Sequence, residues 1–241
     1  MLIKTRGIIL RSIKYGETSI IADIYTEQQG LRSYIISGVR TAKARYSAGL
    51  LQIMSLVDMV AYHRAEKDLN RIKEIKSAYL YQQLPFNIVK SSVGQFMAEL
   101  AQKTIHEPEQ NQALFNFLFH AFQYLDQNPN PVANYHLQFM LQLSGYLGFL
   151  PHGIHSESTP YFDQQEGLFL ATPPPHRYYL NPNFSAQLST LLQLDFEHGH
   201  ECQISKQERK LLLNAIIDYY RLHIDNFPTL HAHEILVTVL G

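Results

Sequence analysis

The sequence contains a single cysteine and no long hydrophobic run, and both absences restrict what the protein can be. Because Cys202 stands alone, the chain can form neither an internal disulfide nor a cysteine-based zinc site. Its apolar stretches fall short of the roughly 20 residues that cross a bilayer, and charges interrupt the N-terminal run MLIKTRGIIL. We therefore expect a cytoplasmic protein without a signal peptide or membrane anchor.

Positive charge is concentrated in the first third of the chain, and negative charge is concentrated in the remainder. The 241 residues hold 20 Lys and Arg against 21 Asp and Glu, a formal net charge of −1. Residues 1–80 carry about 13 of these cations and 7 of the acids, which leaves about 7 cations and 14 acids for the remainder. The first third of the chain is therefore suited to bind a polyanion, and the rest is not.

The hydrophobic pattern of residues 1–80 predicts five β-strands. Residues 18–25 are rich in β-branched side chains, residues 28–30 suit a tight hairpin turn, and residues 31–39 resume the strand pattern. The other predicted strands are residues 3–11, 53–62 and 71–79. Five short strands in this length are typical of a small barrel of the oligonucleotide/oligosaccharide-binding (OB) type, with an SH3-like barrel as the main alternative.

After Leu84 and Pro85 the apolar period lengthens to three and four residues, which predicts helices. The predicted helices are one through residues 89–100, one at 113–125, one from an Asn130-Pro131 N-terminus through Tyr146, and one at 211–224 behind a Ser205–Glu208 capping box. Residues 149–182 hold six prolines, too many for a long helix. We predict an α+β chain with an OB-fold domain at 1–80 and a helical domain at 81–241 that carries a Pro-rich insertion at about 149–182.

Alternation along the predicted strands indicates which cations face outwards together. Cations that contact phosphates, interleaved with rings that stack on bases, are what sequence-tolerant binding of single strands requires. The candidate residues are Lys4 and Arg6 in the first strand, Arg11 at its end, Arg32, Tyr34 and Arg40 in the third, Lys43, Arg45 and Tyr46 in the following connection, and Arg71 and Lys73 in the last. The alternative is that these cations form a solvated barrel exterior.

Several short motifs resemble, in order and spacing, the opening of the RecO family of recombination mediators. They are TRGIILR at 5–11, YGETS at 15–19, YTE at 25–27, GLRS at 30–33 and GVR at 38–40, with weaker similarity at 143–149, 162–167 and 219–221. The resemblance implies a non-enzymatic protein of recombinational DNA repair, in the RecFOR pathway. Such a protein has an OB-fold and a helical domain, is nucleoid-associated and needs no cofactor.

The resemblance also implies binding to single- and double-stranded DNA, annealing of complementary strands, and help with recombinase loading at single-stranded gaps. The implied protein partners are RecR and the single-stranded-DNA-binding protein, the latter through its acidic, apolar tail. On the matching positions, the implied DNA contacts are Arg6, Arg11, Arg32, Arg40, Lys43 and Arg45.

The insertion departs from the pattern of the family. Many members have paired CxxC motifs there and bind zinc, whereas this chain has His152, His155 and His176 and no cysteine in that segment. Closed zinc sites almost always need four ligands, so we predict no metal and expect the insertion to be held by packing of its aromatic residues. The runner-up function is a metal-dependent nucleic-acid enzyme that uses these histidines, and a third is a purely structural interaction protein.

A site for the acidic, apolar tail requires an apolar pocket rimmed by cations. In the helical half of the chain, cations cluster at Lys206, Arg209 and Lys210. We predict the tail site there, and the alternative is a solvated start of a helix.

Overall fold

The computed structural model describes residues 1–39, 46–64 and 66–240. The chain divides into two compact units. The first comprises Met1–Pro85 and Ala98–Asp126, and the second comprises Phe86–Met97 and Gln127–Gly241. Within the described ranges, no helix is both long and apolar enough to cross a membrane.

The N-terminal strands close into a five-stranded barrel. The strands are β1 (Leu2–Tyr15), β2 (Ser19–Thr26), β3 (Gly30–Ile36), β4 (Leu56–Tyr62) and β5 (Leu69–Ser77), and a short 3₁₀ turn lies at Ala48–Leu51. Their order around the barrel is β1-β2-β3-β5-β4, with β3 and β5 parallel and the other neighbours antiparallel. All five predicted strands are confirmed, and the fold is the OB-type barrel rather than the SH3-like alternative.

Strand β1 closes the barrel because it pairs with two neighbours. Residues 2–8 pair with β4 and residues 7–15 pair with β2, with a bulge between Ile9 and Arg11. A bulge bends a strand and increases its twist, which lets β1 curve from one neighbour to the other. The β2–β3 turn ends at Gly30, whose φ of +60° favours glycine. A side chain at Gly30 would also collide with the backbone of Glu107 and Glu109.

The interior of the barrel is filled by aliphatic side chains and one tyrosine. The buried cluster includes Ile3, Ile24, Tyr34, Ile36 and Met59. Tyr34 has no exposed surface, and its burial raises the pKa of its hydroxyl to about 12. The prediction that Tyr34 faces outwards as a base-stacking ring is therefore wrong: its face of β3 is the inner face, which Ile36 shares.

The remaining elements are six helices and a small sheet in the described part of the chain. They are α1 (Ile88–Thr104), α2 (Gln112–Gln127), α3 (Tyr135–Tyr146), β6 (Tyr161–Asp163), β7 (Leu168–Leu170), β8 (Tyr179–Leu180), α4 (Pro182–Gln193), α5 (Lys206–His223) and α6 (Ala232–Leu240), with a 3₁₀ turn at Gly199–Glu201. The largely helical second half is as predicted.

The helix boundaries separate correct predictions from wrong ones. The Ser205–Glu208 capping box of α5 is confirmed, because each residue's side chain accepts the other's backbone N–H. The helix predicted to begin at Asn130-Pro131 instead begins at Tyr135. Helix α4, which has Asn181 as its N-cap and Pro182 in its first turn, and helix α6 were not predicted.

Candidate functional site

Half of the eight cations on the five barrel strands form an ion pair, three with a carboxylate of a neighbouring strand or turn and one with the next residue of its own strand. Four ion pairs are formed: Arg6–Glu27 at 2.7 Å, Arg11–Asp23 at 3.3 Å, Lys76–Asp58 at 3.6 Å and Lys73–Glu74 at 3.8 Å. Antiparallel register creates two of these pairs, since Arg11 lies opposite Asp23 and Lys76 opposite Asp58. A cation that already has a counter-charge gains less from a phosphate, so these positions are weaker candidates for DNA contacts.

Arg6 is the most strongly held of the predicted DNA contacts. Its Nε and Nη2 groups donate to the two carboxylate oxygens of Glu27 at 2.9 and 2.7 Å, and its guanidinium lies 4.9 Å from the ring centre of Phe119 and 5.3 Å from that of Phe115. The hydrogen bonds from Arg6 lower the pKa of Glu27, aided by a bond from Gln112. These contacts join the barrel to α2 within the first unit and leave the guanidinium little freedom.

The other predicted residues of β1, β3 and the connection lie in different surroundings. Arg32 donates through Nη2 to the carbonyl of Pro108 at 3.1 Å. Lys4 lines a groove together with Asp58 and Glu74, which makes that surface mixed in charge. The Tyr46 hydroxyl donates to the carbonyl of Lys73 at 2.9 Å. Arg40, Lys43 and Arg45 lie outside the described residues, and their assignment stays a prediction.

A groove with excess positive charge lies at the end of the β4–β5 hairpin. It has a volume of about 580 Å³, and its lining residues are Tyr62, Arg64, Lys67, Leu69, Asn70, Arg71, Ile72 and Lys73. Four of these residues are cationic and none is acidic. Within the part of the chain that the structure describes, Arg64, Lys67 and Arg71 form no ion pair. We call this surface the hairpin groove.

A buried asparagine shapes the connection that supplies two of these cations. Asn70 is almost fully buried. Its side-chain oxygen accepts the backbone N–H of Arg64 at 2.9 Å, and its amide group donates to the carbonyl of Lys67 at 3.2 Å. On the strands themselves, Tyr62 lies directly opposite Arg71. The groove therefore combines a ring with cations at positions fixed by strand register and by hydrogen bonds.

The hairpin groove was predicted only in part from the sequence. The shared outward face of Arg71 and Lys73 is observed, since both are exposed on β5. Tyr62, Arg64 and Lys67 were not among the candidates, although the signal was present in the sequence: a tyrosine at the end of one predicted strand and two cations before the next. Strand pairing was needed to bring the three to one surface.

The cationic cluster of the helical half borders a small apolar pocket of about 50 Å³. We call it the α5–α6 pocket. Its lining residues are Lys206, Arg209, Lys210 and Leu213 of α5, Leu236, Val237 and Leu240 of α6, and His136 of α3. The three predicted tail-binding cations thus lie at one pocket with an apolar wall.

Arg209 is held in place at this pocket without a carboxylate. Its Nε donates to the side-chain oxygen of Asn134 at 3.0 Å, and its Nη2 donates to the carbonyl of Ile204 at 2.9 Å. Asn134 is itself fixed by donating to the carbonyls of Gly199 and Cys202 at 3.0 and 2.8 Å. Among the described side chains Arg209 has no acidic partner, and burial lowers its pKa. A half-buried guanidinium of this kind is suited to receive an anionic ligand.

His136 contributes a neutral ring to the same pocket. It is almost fully buried, and burial, together with repulsion from Arg209, lowers its pKa to about 3. At neutral pH the imidazole therefore carries no charge, and the positive charge of the pocket lies on Lys206, Arg209 and Lys210.

Aromatic packing connects the strands of the insertion to each other and to α5. Its three strands have the order β7-β6-β8. Phe162 packs against Phe169 and Tyr219, with ring centres 5.1 and 5.8 Å apart. His155 lies edge-on to Phe169, and His176 approaches Asp163 at 3.4 Å. In the described ranges, no three His, Cys, Asp or Glu side chains come together as a metal would need, so the residues present do not fit a zinc site.

The closed five-stranded barrel, with its cationic groove, and the helices that follow it in the chain define an OB-fold protein with a helical C-terminal region. The chain belongs to the RecO family of DNA repair proteins. Residues 1–81 match the family description "Recombination protein O N terminal", and residues 85–231 match "Recombination protein O C terminal". Two relatives, each named "DNA repair protein RecO", are those of Phocaeicola vulgatus, 34% identical over 236 residues, and Bacteroides fragilis, 35% identical over 237 residues. Each comparison covers 98% of both chains.

Proposed function

We propose that this protein binds DNA through the hairpin groove and acts as a recombination mediator that anneals complementary strands and helps recombinase loading at gaps. The observation that carries the proposal is the set of cations at Arg64, Lys67 and Arg71, which lack ion pairs in the described part of the chain and lie beside an exposed ring. Membership of the RecO family supports DNA as the polyanion, with RecR as a protein partner.

The proposed annealing mechanism is electrostatic and requires no covalent bond to be made or broken. Two DNA strands repel each other through their phosphates, and cations that neutralise those phosphates lower the repulsion and release condensed counterions. A barrel that holds one strand with its bases accessible therefore lets a complementary strand pair with it. Arg40, Lys43 and Arg45 remain predicted DNA contacts from the sequence.

The test compares the wild-type protein with the Arg64→Ala/Lys67→Ala/Arg71→Ala variant in binding and annealing of complementary oligonucleotides. If three phosphate contacts are lost, the slope of log affinity against log salt for single strands becomes less negative by about 2 units. Annealing should slow in parallel at matched salt. A wild-type protein that neither binds nor anneals DNA would refute the function, and a triple variant that matches the wild type would refute this location.

We place the site for the acidic, apolar tail of the single-stranded-DNA-binding protein at the α5–α6 pocket. Arg209 supplies a fixed guanidinium for a carboxylate, Lys206 and Lys210 supply further positive charge, and the α6 wall supplies apolar contact. An acidic, apolar segment matches all three features, because charge and apolar surface are recognised side by side.

Titration of a synthetic tail peptide tests this assignment, with the two sites serving as controls for each other. The Lys206→Ala/Arg209→Ala/Lys210→Ala variant removes three positive charges, as many as the hairpin-groove variant removes. We expect it to lose peptide affinity and to retain DNA annealing, whereas the hairpin-groove variant should show the reverse. Unchanged peptide affinity in the pocket variant would refute the tail site without affecting the DNA proposal.

A further inference from the structure

Large apolar side chains are exposed in the hairpin groove and, at Leu2, beside it, and phosphate binding alone does not explain them. Tyr62 on β4 is 46% exposed, and Leu2, its direct partner on β1, is 49% exposed. Leu69, which lies two residues before Arg71 on β5, is 38% exposed. Three large side chains on three neighbouring strands are thus left in contact with solvent. In the described part of the chain, the Tyr62 hydroxyl makes no hydrogen bond that would account for the position of the ring.

We propose that Tyr62 is a base-stacking platform that makes the hairpin groove selective for single-stranded nucleic acid. The proposal rests on the DNA-binding function given above and assigns a residue and a specificity to that site. A nucleobase stacked on the Tyr62 ring would cover it and the neighbouring Leu2 and Leu69. The flanking phosphates would then meet Arg71, which lies opposite Tyr62, and the cations of the following connection.

Selectivity follows from the availability of base faces. In a duplex, each base face is covered by its neighbours, so a protein ring can stack only where a base has been unstacked at a cost in free energy. A single strand offers unstacked bases of any sequence. Cations, in contrast, contact the phosphates of both forms. The ring should therefore contribute to single-strand affinity, and the cations to both affinities.

Because the chain contains no tryptophan, a single substitution can report on stacking. In Tyr62→Trp the introduced indole is the sole tryptophan, and its fluorescence should be quenched when an unlabelled oligothymidine of about 16 nucleotides binds. The matched control is Tyr146→Trp, since Tyr146 is a comparably exposed tyrosine in a groove whose lining residues carry no charge. Fluorescence of the control should change little. Equal quenching of both variants, or of neither, would overturn the proposal.

Affinity measurements complete the test with the full-length protein. Removal of one stacked ring in Tyr62→Ala should weaken binding of labelled oligothymidine by about 5- to 150-fold, and binding of a blunt-ended duplex without a loop by less than about 2-fold. Tyr62→Phe, which keeps the ring, should restore most of the single-strand affinity. If Tyr62→Ala weakens both ligands equally or neither, the ring is not the selective element. A wild-type protein that does not bind DNA would instead refute the proposed DNA-binding function.

Discussion

The sequence presents Arg6 as a DNA contact, whereas its surroundings in the structure predict a role in stability. The test is Arg6→Met, which keeps a side-chain stem and removes the charge. An ion pair that is partly open to solvent contributes about 1 kcal/mol or less, and Arg6 and Glu27 are 38% and 22% exposed. Each of the two ring contacts adds about 0.5 to 1 kcal/mol. We expect Arg6→Met to lower the free energy of unfolding by about 2 kcal/mol.

A double-mutant cycle separates the ion pair from the ring contacts. Urea unfolding of the wild type, Arg6→Met, Glu27→Gln and the double variant gives the coupling between the two residues, which we expect to be about 1 kcal/mol at neutral pH. The matched control is Lys76→Met on the same barrel, because its partner Asp58 is 3.6 Å away and its side chain is 76% exposed. Lys76→Met should change stability by less than about 0.5 kcal/mol.

The coupling between Arg6 and Glu27 depends on pH, in a direction set by the pKa of Glu27. The folded-state pKa of Glu27 lies below its ordinary value of 4.5. The coupling is therefore fully present above pH 4.5 and is lost as the pH falls through the folded-state pKa. A coupling below about 0.3 kcal/mol at neutral pH would refute the structural role. So would a salt slope for DNA binding that becomes about one unit less negative in Arg6→Met, because that change marks a lost phosphate contact.

Three further predictions concern stability. Buried Asp126 accepts the backbone N–H groups of residues 82–84 and the Tyr79 hydroxyl at 2.7 to 3.1 Å, so Asp126→Asn should reduce the free energy of urea unfolding by about 2 to 4 kcal/mol. The depressed pKa of His136, about 3, predicts that stability falls by about 2 kcal/mol from pH 7 to pH 5, as the unfolded state takes up a proton, and that His136→Phe removes this dependence. Because Phe162 lies at the centre of the insertion, Phe162→Ala should destabilise the protein by about 3 to 5 kcal/mol, whereas dialysis against a chelator should leave the melting temperature unchanged.

Local patterns predicted the elements whose stabilising contacts are close in sequence. The alternation of residues 18–25 and the turn before Gly30 were sufficient for a hairpin, and the capping box at Ser205–Glu208 was sufficient for the start of α5. The predicted start of α3 was wrong because Asn130 and Pro131 lie in the non-helical segment that precedes the helix. There the Asn128 side chain accepts the N–H of Asn130, and the helix begins five residues after Asn130.

The inward or outward direction of a strand face depends on contacts that are distant in sequence. The alternation of β3 correctly separates two sets of residues, but the sequence alone assigned the set with Tyr34 to the outside. The inner face contains Tyr34 because the barrel encloses a volume that a large ring fills beside Ile24 and Met59. Similarly, the pairing of Arg6 with Glu27 spans 21 residues, so no local pattern could reveal that this cation already has a counter-charge.

In this barrel, a binding surface differs from a structural one in whether its cations have carboxylate partners, and not in how many cations it has. Register places Asp23 opposite Arg11 and Asp58 opposite Lys76, and such cross-strand pairs stabilise the sheet. At the end of the β4–β5 hairpin, register instead places Tyr62 opposite Arg71. Because the residue opposite Arg71 is a ring and not a carboxylate, both the positive charge of Arg71 and the face of the Tyr62 ring are available to a ligand. The basic character of the first 80 residues therefore has two parts, and the electrostatic share of DNA affinity should follow the cations that have no carboxylate partner.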